Sequence, residues 1–121
     1  MLNLDTHILI YALCGKLLPR EERLLSENNW GISAIVLWEL AKLVELNRIN
    51  IDLEDSQVVQ ALSRLHVWPI DLMVARTSTR LDISGDPADE LIAATSAVHR
   101  VPLLTRDLAI RESKRVPLAI T

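Results

Sequence analysis

Short apolar runs that alternate with longer stretches of helical periodicity constrain the fold of this chain more than any other feature of its sequence. Five such runs fall at residues 1–4, 31–33, 67–70, 102–105 and 117–120. Helical patterns occupy 6–13, 20–27, 34–47, 54–65, 72–81, 87–100 and 108–113. Strands separated by helices imply parallel pairing, because a parallel neighbour is reached only through a crossover, and a sheet buried under helices on both faces. The expected fold is a three-layer α/β/α architecture around a central five-stranded parallel sheet. No repeat, low-complexity tract or linker divides the 121 residues, and the three glycines and five prolines sit singly, so residues 1–121 read as one domain.

Half of the residues are apolar, chiefly Leu, Ile, Val and Ala, with no Phe. That composition describes an aliphatic core and not disorder. The tryptophans, Trp30, Trp38 and Trp68, are expected in that core, which argues against the base stacking that single-strand binders use. Cys14 is the single cysteine, so no internal disulfide or cysteine-based zinc site is available, and the cytoplasm is the expected compartment. No secretory leader is evident, and no apolar stretch approaches the roughly 18–20 residues of a membrane span. The net charge of -3 runs against the basic surface expected of a nucleic-acid binder. It rises from -3 to +1 once four of the sixteen acids are set aside around a metal ion, so the composition is compatible with RNA without pointing to it.

The acids carry the chemistry. Asp5 directly follows the first apolar run, which puts it at the carboxyl end of a strand, where open α/β sheets bind ligands. Asp107 repeats the arrangement after residues 102–105. Asp89 lies in the first turn of the pattern that opens at Asp86-Pro87. Each reads equally well as a helix cap or first-turn acid, and Asp71 and Asp86 have the look of caps as well. Glu39 differs, because it lies mid-helix among Ile35, Val36 and Leu43, where an ionised carboxylate is costly without a cation. An ion pair with Lys42 is one reading and a metal or buried partner the other; the apolar surroundings favour the latter. Four converging carboxylates would repel one another, and hard oxygen donors are what Mg²⁺ and Mn²⁺ prefer.

Taken in order, Leu4-Asp5-Thr6, Ser33-Ala34 with Glu39, Asp86-Pro87-Ala88-Asp89 leading into Leu91-Ile92-Ala93-Ala94-Thr95, and Leu103-Leu104-Thr105-Arg106-Asp107 resemble the PIN domain, and most closely the VapC toxins of toxin-antitoxin pairs. The resemblance covers nearly the whole chain. It implies a ribonuclease whose Mg²⁺ or Mn²⁺ is held by Asp5, Glu39, Asp89 and Asp107, with Asp5 and Asp89 as principal ligands. It further implies hydrolysis to 5′-phosphate and 3′-hydroxyl ends, a cognate antitoxin whose tail covers the acids, and a homodimer. Thr6, Ser33 and Thr105 occupy the places of the family's site hydroxyls, and Asp86 is assigned as the N-cap beside Asp89. His7 stands where many members have Asn and reads as solvent-facing.

Arg106, Lys42, Arg76, Arg80 and Arg100 are candidates for phosphate contacts that also read as solvated surface charges. His7, His66 and His99 fall in unrelated places, so no histidine pair suggests metal-independent cleavage. Leu13, Leu17, Leu18, Leu24 and Leu25 around Pro19 fit either a partner surface or the core. A phosphoryl-accepting receiver domain shares the fold class, but no Lys follows the last apolar run as it would require. A catalytically inactive PIN fold serving as a protein-binding module is the remaining alternative.

Overall fold

The computed structural model describes residues 1–119. Its sheet is built from β1 (Leu2–Leu4), β2 (Trp30–Ser33), β3 (His66–Trp68) and β4 (Leu103–Leu104), in the order β3-β2-β1-β4 with every pair parallel. The described residues also form seven helices: α1 (Thr6–Cys14), α2 (Pro19–Ser26), α3 (Ala34–Glu45), α4 (Ser56–Ser63), α5 (Leu72–Ser78), α6 (Pro87–His99) and α7 (Leu108–Arg111). The expected three-layer parallel α/β architecture is present.

The fifth strand is reduced to one bridge. Leu118 pairs in parallel with Leu103, whose N–H donates to the Pro117 carbonyl and whose carbonyl accepts from Ala119. Pro117, whose carbonyl faces Leu103, brings no N–H to this edge, so the ladder lacks a donor on the upstream side of the bridge. Ile120, the last residue of the expected strand, lies outside the described residues.

The core is aliphatic, as expected. Leu4, Ile8, Leu9, Ile32, Leu40, Ile92, Leu103 and Leu104 are all at most 1% exposed, and each contributes on the order of 1.5–3 kcal/mol by leaving water. Asn3, in the middle of the central strand, is fully buried and donates to the Ile92 carbonyl and the Ser96 hydroxyl, tying β1 to α6. At the other edge a Cβ on Gly31 would lie 2.5 Å from the Trp68 ring, so only glycine admits that indole against β2.

The tryptophans divide. Trp68 is buried and Trp30 half-buried, but Trp38 is 57% exposed; α3 turns Val36 and Leu40 to the core, and Trp38, two residues from each, faces away. Among the candidate partner leucines, Leu25 is core, Leu13, Leu17 and Leu24 pack against it, and Leu18 is exposed. Among the described residues no helix is long and apolar enough to cross a membrane.

Candidate metal and catalytic pocket

Because β1 and β4 are neighbours, with Leu4 paired to Leu104, the residues that leave these two strands emerge side by side. Asp5 caps α1, its Oδ1 accepting from the Thr6 amide at 2.8 Å. Its Oδ2 accepts from the Thr105 hydroxyl at 2.6 Å. The same hydroxyl accepts from the Asp107 amide at 3.0 Å, and Asp107 caps α7 through the Ile110 amide. Thr105 is therefore a hinge pin between two acids brought together from opposite ends of the chain.

The other wall comes from α3 and α6. Asp86 caps α6 through the Ala88 amide, as expected, and Asp89 follows in the first turn. Glu39 is half-buried on α3 and accepts a short hydrogen bond from the Thr6 hydroxyl. The alternative partner of Glu39 is engaged elsewhere, since Lys42 pairs with Glu45 at 2.8 Å. Asp5, Thr6, Glu39, Asp86, Asp89, Arg106 and Asp107 thus line one cavity of about 280 Å³, together with His7 and Tyr11. Ser33 and Thr105 do not line it: Ser33 is buried and caps α3, and Thr105 acts from behind Asp5.

The charges in this cavity are crowded. Asp89 is pushed up to about 6, chiefly by burial and then by the charges of Asp5, Asp86, Asp107 and Glu39. Burial likewise raises Glu39, aided by Asp5 and Asp86 and opposed by the Thr6 hydrogen bond. The acids that cap helices have amide donors; Asp89 accepts no side-chain hydrogen bond among the described residues and carries the strain of the cluster.

Among the described residues no three acidic, histidine or cysteine side chains close into a metal cage. A set of hard carboxylate oxygens that repel one another, spread around a cavity with room for water, suits a cation such as Mg²⁺, which keeps several waters and takes one or two carboxylates directly.

The PIN domain family matches residues 3–115. This chain belongs to the PIN-domain family. Ribonuclease VapC22 of Mycobacterium tuberculosis is 38% identical over 95 residues, which cover 75% of this chain and 72% of that protein. Two of the solved structures that share the fold illustrate it. They are VapBC2 from Rickettsia felis bound to a promoter DNA fragment (23% identity, 98% of each chain, TM-score 0.72) and DNA-bound VapBC from Salmonella typhimurium (22% identity, 98% of this chain and 96% of that one, TM-score 0.70).

One residue of this PIN domain's pocket wall rests on a partner that the sequence reading missed. Glu21, 2% exposed on α2, accepts from Arg106 Nε at 2.8 Å and Nη2 at 2.6 Å, and from the Leu18 amide at 2.8 Å. The Arg106 hydrogen bond leads in drawing the Glu21 carboxyl below its usual range, against the effect of burial. The guanidinium also lies over the Tyr11 ring, 4.1 Å from its centroid. The local signal for Glu21 was its place at the third position of a helix opening at Pro19, where Glu satisfies a first-turn amide. Its partner, 85 residues away, has no such signal. Arg106 is therefore not a freely solvated charge. His7 is exposed, as expected.

Proposed function

We propose that this PIN domain is a metal-dependent endoribonuclease, the toxin of a VapBC-like type II toxin-antitoxin pair, and that it hydrolyses RNA phosphodiester bonds to 5′-phosphate and 3′-hydroxyl ends. The observation that carries the reading is the convergence of Asp5, Glu39, Asp89 and Asp107 on one small cavity, with Asp89 driven to about 6 by burial and by its acidic neighbours. Such crowding calls for a cation.

Asp5 and Asp89 would hold Mg²⁺ or Mn²⁺, with Asp107 and Glu39 completing the shell directly or through water. Bound there, the ion supplies an activated water and neutralises charge developing on the phosphate. Thr105 fixes the Asp5 carboxylate through Oδ2 and ties it to the Asp107 amide. Thr6 holds Glu39 at Oε1, leaving Oε2 to take up the proton of the attacking water.

The proposed partners are RNA, a cognate antitoxin and a second copy of the chain. Exposed Leu37, Trp38, Leu72 and Met73 supply apolar surface for the protein partners. An exposed lone cysteine suits a cytoplasmic protein.

The test is cleavage of a mixed RNA pool by the purified wild type and by Asp5→Asn, each with Mg²⁺, Mn²⁺ or EDTA, with the product ends mapped. Metal-dependent cutting that leaves 5′-phosphates and disappears in Asp5→Asn is expected. Cutting that survives both EDTA and the substitution overturns the mechanism. A wild type freed of co-purified inhibitor that cuts nothing turns the assignment to a binding module.

A further inference from the structure

We infer that Arg106, moored by Glu21 and seated over the Tyr11 ring, is a preset phosphate-positioning group of the acidic pocket. This rests on the nuclease reading above and adds to it the group that draws the RNA backbone into a cavity of like charge.

The cavity poses an electrostatic problem for any polyanion, since acids dominate its walls. Arg106 is the one Lys or Arg among the described residues that line it. A guanidinium carries five N–H donors in a rigid fork. Here Nε and Nη2 serve Glu21, with Nη2 also 3.5 Å from the Lys16 carbonyl, whereas Nη1 makes no well-formed hydrogen bond among the described residues, the Tyr11 hydroxyl being a nearby acceptor of the guanidinium. The edge carrying Nη1 is thus left to an incoming acceptor, and the side chain is 35% exposed while Glu21 is 3% exposed. Glu21 is itself fixed by the Leu18 amide, and the guanidinium carbon sits 4.1 Å from the Tyr11 ring centroid.

A surface arginine must give up rotamer freedom when it captures a phosphate; this one is already immobilised, so less is lost on binding. Its neighbour in the chain is Asp107. Arg106 also lines the same cavity as the other acids, so a phosphate oxygen held by its guanidinium would lie beside them and not at a remote surface. A purely architectural ion pair would join α2 to the segment after β4 equally well, so the test must read something architecture does not move.

That reading is the salt dependence of RNA binding. The wild type, Arg106→Gln, Arg106→Lys and the double variant Glu21→Gln/Arg106→Gln are titrated with a labelled 20-nucleotide mixed-sequence single-stranded RNA. Ca²⁺ replaces Mg²⁺ during binding, and cleavage is assayed separately in Mg²⁺. The double variant removes both charges, so it remains informative if Arg106→Gln alone leaves Glu21 buried, unpaired and unable to fold. In the folded Gln variants the slope of log K against log salt falls by about 0.7, the value of one single-strand phosphate contact. Binding weakens roughly three- to tenfold at low salt across sequences. Arg106→Lys keeps the slope but cuts about tenfold more slowly, because an ammonium cannot hold both Glu21 oxygens and present a planar edge at once.

A wild-type slope in a folded Gln variant overturns the inference and leaves the nuclease reading intact. A wild type that binds RNA with the Arg106-dependent slope but cuts nothing upholds the inference while the nuclease reading fails. A wild type that neither binds nor cuts overturns both.

Discussion

The helix starts at the acidic pocket and those of the two helices that flank β3 in the chain use the same residue for the same local purpose. Asp5, Asp86 and Asp107 cap α1, α6 and α7, and Asp55 and Asp71 cap α4 and α5, each accepting an amide at its helix N-terminus. Asp55 and Asp71 are exposed and stand outside the acidic pocket; Asp55 lines a different cavity with one other acid, Asp52. The three at the pocket stand among Glu39 and Asp89, which cap nothing and whose proton affinity is raised. Capping fixes where a carboxylate sits. Strand order decides whether it has company there, and company is what turns a structural acid into one with chemistry.

The largest effect that separates the two groups is catalytic. Asp5→Ala abolishes RNA cleavage, a loss well beyond the about 10- to 100-fold that outer-shell changes cost. Asp71→Ala costs about 1 kcal/mol and lowers Tm by roughly 3–5 °C while cleavage per folded molecule is unchanged. Comparable catalytic losses in both variants would reduce the pocket acids to caps.

Next comes Gly31→Ala, which forces a methyl into the Trp68 ring and costs on the order of 1–3 kcal/mol by thermal or chemical denaturation. Its damage should stay at the β2–β3 edge. A loss of cleavage larger than the loss of folded protein would show that this edge also sets the pocket.

The smallest effect is on pH dependence. Folded Asp89 protonates at about 6 against an ordinary 3.8. Between those values the folded chain binds more protons than the unfolded one, so this group's contribution to stability falls as pH rises through the window and stays low above it. In EDTA, thermal melts of the wild type should therefore gain stability relative to Asp89→Asn as pH drops from 7.5 to 5, and Mg²⁺ should raise the wild-type Tm more at pH 7.5 than at pH 5. Parallel profiles for the two proteins would mean that Asp89 is as well hydrated as Asp71.

Much of this was legible in the sequence, because its signals are local. Apolar runs marked the strands, Asp86-Pro87 marked a helix start, and Glu39 stood out as a charge among aliphatic neighbours. What escaped depends on distant pairing. Glu21 looks like an ordinary first-turn acid until β4 brings Arg106 beside it. Trp38 looks like core until α3 commits Val36 and Leu40 to the sheet. The short edge at Leu118 depends on the N–H that Pro117 withholds, a matter of register that periodicity does not encode. The assignment of Asp89 over Asp86 rested on the family resemblance, and the structure adds a physical difference: Asp86 has an amide partner, whereas Asp89 carries the charge pressure.

The pairing of β1 with β4 has a consequence for timing. Asp5 leaves the ribosome well ahead of the Thr105 hydroxyl that steadies it, which lies 100 residues later, about 5–20 s at ordinary rates of elongation. Until then the pocket lacks one wall, including Arg106 and Asp107. On the proposed function, a growing chain could not cut the RNA around it, its own message included, until the segment after β4 has been made.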